Sequence, residues 1–478
     1  MDRSLDEGVR MKCGIRWSGR IWGVFLAGAL VLAVSGYPAG AQSLEEALAR
    51  AYVSNPTIES QRAQLRATDE LVPQALSGYR PTVEAGADAV NSNVTTRLSP
   101  AARERAGRSK QKVTLQSRTV DLSIAQPLYS GGRTQAETKR AEALVQAQRA
   151  DLLSTEQTVL LDGSTAYLDV VRDQAVLDLN INNEQVLRRQ LEASRDRFNV
   201  GEITRTDVSQ AESRLARAIS DRIQSEGLLS ASRAVYARII GTPPGRLTAP
   251  RLVFDLPASR EETVSLAENN NPTVIAAQYT ETAARSAVDS VRGEMLPSAN
   301  LRGTLSRGWD PNADTDRADT AQVTASVTVP IYQAGSTESR VREARQTAGQ
   351  RRIQIEEARR QVVENAIRAW EGLTTAQGTI QSRQSQVRAS DIALEGVRQE
   401  ALVGSRTTLD TLDAEQELLD ARVQLVQAQR DEMVAAFSAL SATGQLSARL
   451  LGLKVPYYDH VKHYKQVRDK WWGTDTKD

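Results

Sequence analysis

From Leu128 to Thr242, and again from Ile331 to Val455, the chain contains no proline. Helix interiors reject proline at a cost of ~3 kcal/mol or more, so tracts this long without it are compatible with very long helices. Gly201 and Gly404 divide each tract into two arms. Each glycine is followed by a helix-opening pair, Thr204 three residues before Asp207 and Thr407 three residues before Asp410. In such a pair the threonine hydroxyl accepts from a free amide of the first turn, and the acid reaches back to the threonine amide. Each tract therefore predicts a helical hairpin that turns at a glycine. Leu412, Leu419, Val426, Met433 and Leu440 recur every seventh residue, and Val145, Leu152 and Val159 run beside Leu153, Leu160 and Tyr167. Both sets read as coiled-coil seams. A first arm spanning 133–200 reaches ~100 Å at 1.5 Å per residue.

The two hairpins belong to two halves of one duplicated plan. Asn55-Pro56 recurs as Asn271-Pro272 and Pro81 as Pro297, each 216 residues later. Pro127-Leu128-Tyr129 recurs as Pro330-Ile331-Tyr332, Val200-Gly201 as Val403-Gly404, and Gly241 as Gly444, each 203 residues later. The organisation that follows is a segment 1–41, a first repeat 42–241, a linker 242–260, a second repeat 261–444 and a tail 445–478. Long helices are expected over 133–200, 204–240, 335–402 and 407–443. Ser43 to about Ser77 reads as a helix that Pro56 and Pro73 interrupt, and Glu261 to Asn271 as a short helix.

Each repeat also carries two stretches of alternating polarity, 81–91 with 113–128 and 297–309 with 320–332. A polar, arginine-rich loop over 93–111 and an acidic loop from Asp310 to Asp319 join them. In the second stretch the alternation changes phase: Val113 and Leu115 are odd, whereas Val120, Leu122 and Ile124 are even. One extra residue near Ser117, a β-bulge, is the expected cause.

Lys12, Arg16 and Arg20 precede an apolar run from Ile21 to Val34, and Ala39-Gly40-Ala41 fits a cleavage site, so 1–41 reads as a secretory signal peptide. The single cysteine, Cys13, lies inside it, leaving no disulfide or thiolate chemistry to the mature chain. The 60 basic and 59 acidic side chains balance, which gives no basis for a nucleic-acid partner. His460 and His463, the only histidines, read as a solvated pair in the tail rather than a metal site. No catalytic triad or phosphate-binding loop is legible, so no catalytic residue, cofactor or metal is expected. The tail aromatics Tyr457, Tyr458, Tyr464, Trp471 and Trp472 suggest no role.

Strands of about ten residues cross a bilayer when tilted. Four of them cannot close a barrel, and an open edge in lipid leaves amide groups unpaired at several kcal/mol each. Closure must come from further copies: eight strands is the practical minimum, and three copies give twelve. With a signal peptide, the chain reads as an α+β protein of a bacterial-type outer membrane.

These residues resemble the TolC-type outer membrane efflux protein family over nearly the whole mature chain. The most specific parts are the duplicated plan, the run Gln126-Pro127-Leu128-Tyr129-Ser130-Gly131-Gly132 with its echo Val329-Pro330-Ile331-Tyr332, and the tip from Val403 through Arg406 to Asp413. The resemblance implies a homotrimer in which a 12-stranded transmembrane β-barrel continues into a coiled-coil α-barrel across the periplasm. It implies passive export in multidrug efflux or type I secretion, with a periplasmic adaptor, an inner-membrane transporter of the ABC or proton-driven class, and outer-membrane lipid as partners. Carried over by position, Asp410 and Asp413 are the constricting aspartates of a periplasmic gate, and Arg406 ties the mobile hairpin to Thr206 and Asp207. Val200, Gly201, Val403 and Gly404 are the adaptor-docking tips. Where the family has a latching tyrosine, this chain has Ala401.

Thr-x-x-Asp is also ordinary helix capping, which accounts for Asp410 without a gate. Asp413 discriminates, because its counterpart in the first repeat is Gln210. The rival classes are a soluble periplasmic coiled-coil structural or adaptor protein, against which the alternation from Ala321 to Ile331 speaks, and a secreted enzyme, which has no histidine base or cofactor motif to work with.

Overall fold

The computed structural model describes residues 42–250, 256–312 and 315–476. The expected signal peptide and part of the linker lie outside them. In chain order the elements are α1 (Leu44–Ser54), α2 (Pro56–Asp69), α3 (Leu71–Leu76), β1 (Thr82–Arg97), α4 (Pro100–Ala106), β2 (Lys110–Ser130), α5 (Arg133–Asn199) and α6 (Arg205–Ile240). They continue with α7 (Arg260–Asn270), α8 (Pro272–Gly293), β3 (Ser298–Asn312), β4 (Thr315–Thr328), α9 (Ser336–Leu402), α10 (Thr408–Ala442) and α11 (Lys462–Val467).

The four strands form one antiparallel sheet in the order β1-β2-β3-β4. From it α5 and α9, 67 residues each, run to the tips, where the chain reverses into α6 and α10. Gly201 and Gly404 turn the chain with φ of 79° and 77°, in the left-handed region that side chains with a Cβ avoid. The seams are buried as helical periodicity requires: Val145, Leu160, Tyr167 and Leu412 are almost wholly enclosed, and Leu419, Met433 and Leu440 nearly so. Many other inward positions are alanine, so the helices pack closely around a thin core.

The thickest core lies midway along α5, where α1 and the C-terminal ends of α6 and α10 meet it. The Tyr167 hydroxyl sits there, 2.8 Å from the Gln42 carbonyl and 2.7 Å from that of Thr248, fastening both flanks of the first repeat to α5. The same Asn-Pro device recurs on each side of this core. Asn55 Oδ1 caps α2 by accepting from the Thr57 amide, while its Nδ2 donates to the Ile239 carbonyl at the end of α6. Asn271 caps α8 and donates to the Ala442 carbonyl at the end of α10. One side chain thus satisfies an orphan amide of one helix and an orphan carbonyl of another.

Several expectations are corrected. Asn55 breaks the first helical stretch outright, with Pro56 opening α2, and a second break at Glu70 precedes α3. The strands extend into both loops, reducing 93–111 to a turn around α4, because backbone pairing needs no apolar alternation. There is no bulge at Ser117: it pairs with Val90 in unbroken register. The irregularity lies between Pro127 and Tyr129, where proline lacks the amide that a ladder needs. For the same reason β4 ends at Thr328, just before Pro330, and Ile331 and Tyr332 stand 95% and 80% exposed beyond it.

The tail is docked. Leu446, Ala448, Leu451 and Leu453 join the central core, and Glu156 on α5 accepts from the Ala448 amide at 2.7 Å. Arg62 lies between the rings of Tyr52 and Tyr458, 4.8 and 5.0 Å from their centres. His463 is not solvated: its Nδ1 is 3.0 Å from Oδ2 of the buried Asp69.

Two measurements test this packing. Asn55→Asp keeps the acceptor that caps α2 but removes the donor to Ile239; it should cost about 1–2 kcal/mol in far-ultraviolet circular dichroism melts. Equal stability would leave the residue a cap alone. Burial raises the Glu156 carboxyl above its usual range, so its contribution is fully present below the unfolded pKa and is lost as pH rises through the folded one. Glu156→Gln, which does not titrate, should therefore gain on the wild type between pH 4 and 7 in the same melts.

Candidate functional site

Directly paired residues of an antiparallel sheet point to the same side, so the register sorts the side chains into two faces. One face carries the row Val83, Ile124, Gly303 and Val323, and beside it Ala85, Leu122, Leu305 and Ala321. The other carries Glu84, Ser123, Thr304 and Gln322, and beside it Gly86, Asp121, Ser306 and Thr320. The apolar face is uncovered: Val83, Leu122, Ile124, Leu305 and Val323 are 41–77% exposed. Tyr129 and Trp309 mark its ends, paired through Ala299 and with Arg118 respectively. Their rows lie ten residues apart along β3, a rise of about 33 Å that a tilt near 45° reduces to roughly the height of an outer-membrane apolar band. Among the described residues no helix is long and apolar enough to cross a membrane. The uncovered apolar face of the sheet, by its height and its residues, has the character of a membrane-facing surface.

Beyond Arg118 and Trp309, β3 and β4 end within a few residues, at Asn312 opposite Thr315, whereas β1 and β2 continue as a two-stranded arm closed by Arg97 opposite Lys110. In the arm the faces exchange character. Asn91, Asn93, Thr95 and Arg97 continue the side that was apolar below, whereas Val90 and Val94, opposite Ser117 and Val113, continue the side that was polar. The phase change in the sequence is this inversion.

At the far end each tip repeats the same construction. Thr204 and Asp207 form a complete capping box, as do Thr407 and Asp410. Asp410 Oδ2 accepts from the Thr407 amide at 2.9 Å and from its hydroxyl at 2.8 Å, which holds the carboxyl below its ordinary range and therefore charged. Behind the tips an ion pair joins the arms of each hairpin, Arg195 to Glu212 at 2.7 Å in the first and Arg398 to Glu415 at 3.0 Å in the second. Val200 and Val403, on the outermost turns, are 72% and 80% exposed.

The two tips differ where the repeats differ. Asp413 pairs with Arg214 of α6, linking the second hairpin to the first. Gln210, its counterpart, has no charge with which to do this. Arg406 does not reach Thr206 or Asp207 within the chain: its Nε donates to Glu400 at 2.8 Å, across the turn on its own hairpin, and Asp207 is occupied by Thr204. Glu400 escapes sequence reasoning because a separation of six residues is no helical neighbour; the left-handed glycine between them folds the chain back. Arg214 escapes because nothing in the spacing shows which face of α6 meets α10.

Comparison with known proteins agrees with this architecture. A family model described as outer membrane efflux protein matches residues 47–242 and 263–444. Outer membrane efflux protein BepC of Brucella suis is 34% identical over 95% of this chain and 96% of its own length. Outer membrane protein TolC of Escherichia coli is 24% identical over 87% and 85%. The solved outer membrane channel CmeC of Campylobacter jejuni superposes with a TM-score of 0.75 at 14% identity, over 89% of each chain. A two-faced sheet at one end, paired helical hairpins at the other and a family match over both repeats lead to one conclusion: the chain belongs to the outer membrane efflux protein family and is an outer-membrane efflux channel whose helical part stands in the periplasm.

Proposed function

We propose that three copies close into a single tube, twelve strands around a pore in the membrane and the helical hairpins around its continuation below. The observation that carries this is the sheet, apolar on one side and polar on the other, with β1 and β4 at open edges. The polar side then lines the lumen and the apolar side meets lipid. Export through it is passive, with no covalent chemistry by this chain.

The periplasmic end is the gate. Asp410 and Asp413 of three chains converge on the axis, where mutual repulsion and attraction of cations follow from their charge. Arg406 to Glu400 and Arg214 to Asp413 fasten the second hairpin to itself and to the first. Arg406 and Glu400 are each about half exposed, and a pair of that kind is worth about 0–1 kcal/mol. Weak fastening suits a closure that a partner opens. Val200, Gly201, Val403 and Gly404 offer the exposed turns on which a periplasmic adaptor docks, and an inner-membrane transporter of the ABC or proton-driven class supplies the cargo.

Planar-bilayer recording tests the gate. Asp410→Asn with Asp413→Asn should lower cation preference; the asparagine side-chain carbonyl in the first of these still accepts from Thr407, so helix capping is kept. Unchanged selectivity removes both carboxylates from the pore axis. Arg406→Ser should raise the open probability by up to about fivefold per released pair. A purified chain that is folded, monomeric and nonconducting overturns the trimer.

A further inference from the structure

We infer that the lipid-side face of the sheet at its outer boundary, together with the same face of the β1–β2 arm, binds the phosphate groups of outer-leaflet glycolipids. This rests on the reading of the sheet as one third of a membrane barrel wall.

The cations are sorted by face. Arg118 stands in the same row as Trp309 and Arg317, directly at the edge of the apolar band, and Arg307 lies one row below on the same side. Further out on that side come Lys112, opposite Thr95, and Lys110, opposite Arg97. All of these side chains are exposed. Asp319 accepts from both Arg307 and Arg317 at 2.6 Å, so that cluster retains one positive charge. Among the described residues Arg97, Lys110, Lys112 and Arg118 have no carboxylate partner.

A merely solvated arm needs no such sorting, because water accepts cations on either side. Here the opposite face of the arm holds Val90, Val94, Val113 and Leu115, with no cation at those positions. At the other boundary of the apolar band the row contains Tyr129, Ala299 and Val327 and no cation, and Arg133, just past the strand, is held on the Ser130 carbonyl. Apart from Arg302 on the polar face, the basic side chains of the strands are thus confined to the lipid side and to the outer end, continuous with the apolar face that meets the acyl chains. An ammonium or guanidinium at this height pairs with headgroup phosphate while the band below fixes the lipid, and each such cation strengthens attachment to an anionic leaflet. The aromatic ring of Trp309 sits at the same level, as an interfacial indole does.

The test uses the purified full-length oligomer in detergent, titrated with diphosphorylated lipid A or with the same lipid stripped of both phosphates, and bound lipid is counted by mass spectrometry. Wild type should bind the phosphorylated form at least about tenfold more tightly, with a preference that shrinks as salt rises. Lys110→Gln with Lys112→Gln and Arg118→Gln should abolish the preference and leave binding of the stripped lipid unchanged. Arg302→Gln, on the lumenal face of the same sheet, should retain it. Equal affinities in wild type, or a preference that survives the triple substitution, overturn the inference; so does displacement by an equal concentration of inorganic phosphate, which would make the patch a general anion site. Conductance is recorded on the same preparation. Conducting channels without the preference reject the lipid surface alone, whereas a nonconducting monomer rejects the channel reading itself.

Discussion

Backbone amide and carbonyl groups at the edges of the sheet set the terms for the rest of this molecule. Along β1 and β4 one ladder of each strand has no partner within the chain, on a sheet whose broad apolar side belongs in lipid. Hydrocarbon offers no replacement hydrogen bonds, so each unpaired group costs several kcal/mol. In the proposed oligomer, pairing of β1 with β4 of a neighbouring copy removes that cost within the membrane. The long helices inherit the same symmetry, since each is the direct continuation of a strand through a short glycine turn at Gly132 or Gly335.

The periplasmic tips follow a different logic. In the membrane the structure cannot tolerate an unmade bond, but at the tips the turn residues are exposed and the pair Arg406 to Glu400 is about half exposed on both sides and therefore weak. The two hairpins share their turn glycine, their capping box and the ion pair between their arms, so these features serve to make a hairpin. What separates them is Asp413 with its Arg214 partner, and the polarity of the ion pair across the turn, Glu400 with Arg406 in the second hairpin where Arg197 faces Glu202 at 3.9 Å in the first. Features common to both repeats are most simply structural, and features that break the repeat are the ones to associate with a gate. This comparison gives Asp410 two roles at once, a cap by its contacts and a charge by its depressed pKa.

Midway along α5 the tail closes the molecule. Its apolar residues complete a core that short helices and alanine-rich seams leave thin, and Glu156, Arg62 and Asp69 each receive a tail group. Sequence reasoning had no access to these contacts. Separations of about three to four hundred residues carry no periodicity, and an aromatic, lysine-rich segment without a repeat partner has no counterpart from which to infer its place.

The sequence by itself determined the long helices, the two-faced strands, the duplication and the family, because each is written in local spacing: proline-free tracts, a period of seven, a period of two, and offsets of 203 and 216 residues. It also recorded the phase change between Leu115 and Val120, but not its meaning. An extra residue in one strand and an exchange of environments produce the same string of letters. Only the pairing partners across the sheet distinguish them, and unbroken register from Val83 to Arg97 shows that the surroundings change while the strand does not. Tertiary structure likewise decided which carboxylate Arg406 meets, which arginine Asp413 meets and where the tail lies, since charged side chains choose partners by distance in space, and that distance is set by turns and packing that no linear spacing encodes.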